Sequence, residues 1–331
     1  MTQSISIKAE PFNWPYDGQL NPTQLAVLAI DLQHDFLSPE GYFSKMGFDP
    51  TPLRSILPNV NRLTDAVRRA GGTVVHTRQG YRADMADMTP FEKWRRTRNG
   101  LDGTDVLLRS SNGFNIDKEV IVKPDDIIID KTCNDAFTHT ELEHVLHARN
   151  ISHLIFSGVT TDVCVHSTLR AACDRNYQCI TISDACASGD NEIHEAALKM
   201  VLVEGGIFGA LTTTTEAINS LGQVNHKLGN LDQAVRLYKQ VVALDSNYAL
   251  ASENKILSVI YFFSQGNIQK ALEALNMLVE KNPRDALLFN MLGGCFASIG
   301  KIEMAINNYQ KALEFKPEYA IPKHMINSLT G

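Results

Sequence analysis

Between residues 24 and 215, short apolar runs rich in β-branched residues alternate with longer stretches whose apolar positions recur every three or four residues. The runs LAVLAI (25–30), GTVVHT (72–77), DIIID (126–130), HLIFSGV (153–159) and CITISDA (179–185) predict strands. The segments 54–70, 139–149, 162–176 and 190–204 predict helices between them. Strand and helix in regular alternation are the signature of βαβ units around a parallel sheet, so the expected product is an α/β three-layer sandwich with a doubly wound sheet.

From about residue 216 the pattern becomes helical throughout, and three segments align with one another. Gly229, Gly266 and Gly300 fall at a helix-to-helix turn, Ala234, Ala271 and Ala305 where two helices approach, and Tyr238, Leu275 and Tyr309 in the groove between neighbours. Ser246, Pro283 and Pro317 end the units. The glycines are spaced as in a 34-residue helical-hairpin repeat with one three-residue insertion, so this part resembles a tetratricopeptide (TPR) solenoid. Two domains follow, 1–221 and 222–331. No Gly, Ser or Pro-rich linker separates them, so TEAINSLGQ (215–223) is expected to end one domain and begin the first repeat as a continuous or tightly docked helix.

The net charge of −6 is divided unevenly, about −8 over 1–221 and +2 over 222–331. Neither part has the basic face of a nucleic-acid binder, and a small-molecule substrate fits better. The N-terminus has no signal-peptide apolar core and the longest apolar stretch, around 256–263, is too short to span a bilayer, which predicts a cytoplasmic protein without membrane contact. The six cysteines form no CxxC pair and have no histidine at zinc-ligand spacing, so reduced thiols and no metal are expected.

Three reactive residues stand at predicted C-terminal strand ends, the edge where open α/β sheets bind ligands: Asp31, Lys131 and Cys164. Cys164 is expected in the first turn of a helix capped by Thr161 or Asp162, where unpaired N–H groups and the Lys131 ammonium would favour a thiolate. Asp31 is placed to take the thiol proton, and the N–H groups of Thr160 and Cys164 to face an oxyanion. Each residue alone has an ordinary structural explanation, as a small buried thiol, a helix cap or a solvated cation. Their coincidence at one sheet edge is what points to chemistry.

The stretches DLQHDF (31–36), KTCNDAFTHTEL (131–142) and SGVTTDVCVHSTLRAACDRNY (157–177) resemble the isochorismatase-like cysteine hydrolase superfamily, over the first two thirds of the chain. The resemblance implies an Asp31, Lys131 and Cys164 catalytic triad, a cis non-proline peptide bond before Thr160, and assembly into dimers or tetramers. PFNWPYDG (11–18), GYFSKMGFD (41–49), HTRQGYRADMADM (76–88) with Trp94, and EGGIFGAL (204–211) are most similar to biuret hydrolases, then to ureidoacrylate amidohydrolases. Those enzymes release ammonia from small linear ureido compounds without a cofactor. The Asp-x-His pair of the metal-dependent nicotinamidases is missing after the first strand.

Gln33, Phe36, Arg78, Phe137 and Thr161 are the expected substrate-lining residues. Glu204 replaces the glutamine of biuret hydrolases, and as an acceptor-only carboxylate it would favour a substrate offering N–H donors or positive charge. The repeats add a surface for self-association or for a protein partner, and the tail EYAIPKHMINSLTG is read as a short cap interrupted by Pro322. Two alternatives stand beside a ureido hydrolase: an adaptor carrying a vestigial hydrolase domain, and an amidase of nicotinamidase-like specificity. Enol-ether cleavage is disfavoured because members performing it typically lack the cysteine.

Overall fold

The computed structural model describes residues 6–98, 101, 107–252 and 254–330. Its six parallel strands are β1 (Leu25–Ile30), β2 (Thr73–Gln79), β3 (Ile127–Lys131), β4 (His153–Val159), β5 (Gln178–Ala187) and β6 (Ala210–Thr212). Their spatial order is β3-β2-β1-β4-β5-β6, a doubly wound sheet whose direction of winding reverses between β1 and β4. That reversal opens a crevice beyond the C-terminal strand ends. Ile30 stands opposite Gly158 across the β1/β4 pair, so the chain leaving β1 and the chain leaving β4 emerge side by side.

Every residue of β1 and β4 is buried, as expected of central parallel strands covered on both faces. The helix Leu57–Ala70 turns Val60, Leu63 and Val67 inward and stops at Gly71, whose φ of 92° suits only glycine. Gly158 meets a harder constraint. Its φ is 113°, and a Cβ there would lie 2.2 Å from the carbonyl oxygen of Ile30. Only a residue without a side chain lets β4 pass this close to the end of β1.

Two features exceed the expected pattern. β2 runs two residues past 77, which carries Gln79 to the sheet edge. β6 is a sixth strand of three residues, too short for periodicity to register, paired with β5 on one side and bridged at Leu211 to Glu10 on the other. Among the described residues no helix is long and apolar enough to cross a membrane.

The chain divides into two compact units at Ala217/Ile218, within the helix Thr214–Lys227. In the second unit Gly229, Gly266 and Gly300 all adopt positive φ, from 71° to 79°, at the turns between helices. Ala234, Ala271 and Ala305 are fully buried, and Tyr238, Leu275 and Tyr309 are buried with them. The tyrosine rings lie against glycines in the preceding helix: a Cβ on Gly222 would meet Tyr238 at 2.6 Å, and one on Gly293 would meet Tyr309 at 2.5 Å. The same glycine-to-ring packing thus recurs in two repeats.

Ser246, at a unit end as expected, begins a short helix, Ser246–Ala251, capped by the Asp245 side chain. One expectation is corrected here. Pro322 does not interrupt the tail. It lies in the first turn of the helix Ala320–Thr330, where backbone N–H groups have no intrahelical partner to lose.

Candidate active site

Asp31 is the residue after β1, held at a positive φ of 52°. Its Oδ1 accepts a hydrogen bond from Thr77 Oγ1 on β2 at 2.6 Å, and its own N–H donates back to that hydroxyl at 3.1 Å. Oδ2 lies 2.7 Å from Lys131 Nζ, and both side chains are fully buried. Beyond that ion contact Oδ2 receives no hydrogen bond among the described residues. The Lys131 ammonium also donates to the carbonyl oxygens of Cys133 at 3.0 Å and Asn134 at 3.2 Å, which aims it from the end of β3 toward β1. Burial pulls its pKa down, but the Asp31 carboxylate and Cys164 outweigh that and hold the lysine above its ordinary value.

Cys164 stands on the other side of the crevice. The bond Val159–Thr160 is cis, and Thr160 begins a π-helical turn, Thr161–Val165, that continues into the helix His166–Cys173. Thr160 holds the cap position by its extended backbone, in place of the expected Thr161 or Asp162, and the side chains of those two are engaged elsewhere. Thr161 Oγ1 bonds His194 Nδ1 at 2.8 Å, and Asp162 Oδ1 accepts from Ser188 Oγ at 2.6 Å. Cys164 interacts with both Asp31 and Lys131.

The helix start and the Lys131 cation expected to favour a thiolate are opposed by burial. Burial pushes the Cys164 thiol up, and the nearby Asp31 charge adds to it, while Lys131 only partly offsets them.

Cys164 lines a cavity of about 380 Å³, and the fully buried Asp31 and Lys131 lie behind it. Its walls include Phe36, Tyr42, Phe43, Met46, Phe48, Phe91, Leu107 and Val163, with Gln79, Asn134, Thr160 and Cys164 at the reactive end. Phe43 and Phe48 stack at 5.0 Å, and Phe36 meets Tyr42 edge-on at 6.0 Å. Glu92, Arg95 and Arg96, from the helix Pro90–Arg98, also line it. Arg95 grips Glu92 through two bonds of 2.8 and 2.9 Å, and Arg96 Nε bonds the same carboxylate at 2.8 Å. The Arg96 guanidinium is buried against the rings of Tyr42 and Tyr81. Burial would raise the Glu92 pKa, but the two arginines bring it below the ordinary value, so it stays ionised.

The structure brings Asp31, Lys131, Cys164, Thr160 and Phe36 together at this cavity, and the remaining expected lining residues point elsewhere. Gln33 is a clamp: its amide donates to the Gln79 and Phe114 carbonyls at 3.0 Å and accepts from the Gln79 N–H. Arg78, whose strand position turns it away from Gln79, pairs with Asp130 and lies over the Phe114 ring. Phe137 packs in the hydrophobic core beside Tyr177, and Thr161 is bound to His194. Glu204 is exposed at a kink in the helix Asn191–Gly206, with φ of 52° and two left-handed glycines after it. The backbone there cannot continue helically, and this turns the carboxylate to solvent.

Two residues of the site escaped the sequence reading. Gln79 bonds both Cys164 and Lys131, and a neutral amide in a strand gives no chemical signal. Asp35 is buried and accepts the N–H groups of Tyr42 and Leu107, tying two wall residues together. Its place in DLQHDF was visible, but its long-range partners were not.

A model of the isochorismatase domain matches residues 25–216. Tetratricopeptide-repeat models match 215–248, 256–285 and 286–319. The ureidoacrylate amidohydrolase RutB of Acinetobacter baylyi is 30% identical over 233 residues, covering 67% of this chain and 91% of that protein. Its namesake in Caulobacter vibrioides is 29% identical over 231 residues, 66% and 94% of the two chains. A solved cysteine hydrolase from Pseudomonas syringae pv. phaseolicola superposes with a TM-score of 0.55 at 25% identity, over 67% of this chain and 99% of its own. With this sheet order, this crevice and these matches, the chain belongs to the isochorismatase family and carries tetratricopeptide repeats after its isochorismatase domain.

Proposed function

We propose that this protein is a cysteine amidohydrolase that cleaves a C–N bond of a small linear ureido or amide substrate and releases ammonia. The observation that carries the reading is the meeting of Asp31, Lys131 and Cys164 beneath one cavity at the sheet's reversal point. Asp31 takes the Cys164 proton as the sulfur attacks the substrate carbonyl, so the thiolate exists only as the new C–S bond forms. The N–H groups of Thr160 and Cys164 receive the tetrahedral oxyanion, and Lys131 supports the charge. The C–N bond then breaks, its nitrogen takes the proton from Asp31, and ammonia leaves. Water gives a proton to Asp31, attacks the thioester or thiocarbamate carbon, and expels the sulfur, which regains its proton.

The ureidoacrylate activity named for the bacterial relatives supports a ureido acid as the first substrate to test. The repeats supply a surface for a protein partner or a second copy.

The test is ammonia release from ureidoacrylate, biuret and simple aliphatic amides by the full chain and by Cys164→Ala. Release is expected with the ureido acid foremost and to vanish in the variant. A chain silent on the whole panel, with a stable partner captured by its repeats, would favour the adaptor reading instead.

A further inference from the structure

The Gln79 carboxamide touches both the nucleophile and the cation of the site. Its Oε1 lies 3.2 Å from Cys164 Sγ and 3.4 Å from Lys131 Nζ. Lysine has no acceptor, and a neutral thiol beside an amide oxygen donates, so both neighbours require the oxygen to face them and fix the amide's orientation. The backbone of Gln79 is pinned on both sides by Gln33, with its N–H donating at 2.6 Å and its carbonyl accepting at 3.0 Å. Gln79 is itself buried and lines the cavity, and its Nε2 donates to no described residue. This is a rigidly mounted acceptor on the thiol with its donor end unspent.

An acceptor aimed at a thiol stabilises the protonated form and opposes the thiolate, because the sulfur anion has no proton to offer and would face the oxygen's partial negative charge. It also engages the proton that Asp31 must receive. We propose that Gln79 is a latch on Cys164: its Oε1 holds the thiol protonated, and a substrate competing for the carboxamide releases it. The charged groups around the sulfur are Asp31 and Lys131, with Glu92, Arg95 and Arg96 on the cavity wall. The latch rests on Cys164 being the nucleophile, but it acts before any substrate is present and can be read without one.

The experiment is the rate of Cys164 alkylation by iodoacetamide in the substrate-free full chain near pH 7, followed on the Cys164 peptide by mass spectrometry. Only the thiolate reacts at a useful rate. Gln79→Met keeps the bulk and removes the amide acceptor, so alkylation should rise roughly three- to tenfold, the worth of one neutral hydrogen bond. Its urea midpoint, measured alongside, separates this from loosened packing. An unchanged or slower rate in a folded Gln79→Met overturns the latch. Gln79→Glu offers a stronger acceptor and should slow alkylation about tenfold, which keeps the proposal testable if the methionine variant does not fold; no slowing there overturns it. Failure of the wild type to release ammonia from any substrate would sink the proposed activity and leave this measurement standing.

Discussion

Replacing Lys131 with methionine keeps most of the side chain's length and deletes its charge, which leaves the Asp31 carboxylate buried without its cation. Breaking one side of a fully buried ion pair costs about 3–5 kcal/mol. The carbonyls of Cys133 and Asn134 lose a donor as well, which places the expected loss toward the upper end. Both tryptophans, Trp14 and Trp94, lie in the first compact unit, so urea unfolding followed by their fluorescence reports on the domain that holds the pair. With an m-value of about 2–3 kcal/mol/M, the midpoint should fall by roughly 1–2 M. Asp31→Asn/Lys131→Met removes both charges and should recover about 2 kcal/mol or more of the loss without restoring activity. The pH dependence has a definite sign. Because the folded Lys131 pKa lies above its ordinary 10.5, its stabilisation is fully present below that value and is lost only as pH rises through the higher folded one. The gap between wild type and Lys131→Met should therefore stay level from pH 6 to pH 9. A variant as stable as wild type, or a double variant weaker than the single, would refute the buried pair.

Other outcomes follow from the same structure. Gly158→Ala drives a methyl into the Ile30 backbone at a φ of 113°, so soluble expression should collapse or the unfolding midpoint fall by an amount worth about 3 kcal/mol or more; a folded, active alanine variant would contradict the close approach of β1 and β4. Burial alone would raise the Asp126 carboxyl, but His76 and Arg68 hold it far below the ordinary range. That depressed folded pKa gives stability that is present above about pH 4 and lost as pH falls toward the folded value. Asp126→Asn should therefore cost about 3 kcal/mol at neutral pH and progressively less in acid, read from urea midpoints at several pH values. In the repeats, Tyr238→Ala empties the groove over Gly222 and should cost about 3–5 kcal/mol, seen as earlier loss of far-ultraviolet helical signal; a silent substitution would mean the ring is not packed there.

The strands were legible because a central parallel strand must be apolar on both faces; LAVLAI satisfies that without interruption, and HLIFSGV does so apart from His153 at its start and the buried Ser157. Asp31 and Lys131 could be placed for a related reason, since a polar residue that ends or follows such a run lies at the sheet's edge, where chemistry is possible; Cys164 lies further on, in the helical turn beyond β4. The repeats showed through Gly229, Gly266 and Gly300, since a left-handed turn at a fixed spacing leaves few other choices. What stayed hidden depends on contacts distant in sequence. Gln79 reaches the thiol only because β2 extends two residues beyond its apolar stretch, and Arg78 beside it is turned away by the alternation of the strand. Glu204 is written like a pocket residue, yet the left-handed backbone at 204–206 puts it in solvent. A helix start and a cation near Cys164 are visible in the sequence, whereas the burial that pushes its thiol the other way is not.

The account stands on Cys164 becoming covalently joined to substrate carbon. Acid quenching in the first turnovers, with whichever panel compound releases ammonia, followed by peptide mass analysis, tests that most directly. The expected result is an acyl or carbamoyl mass on the Cys164 peptide alone, rising to a constant level as ammonia production reaches its steady rate and disappearing when substrate is exhausted. Ammonia formed with that peptide unmodified, and formed equally by Cys164→Ala, would contradict it.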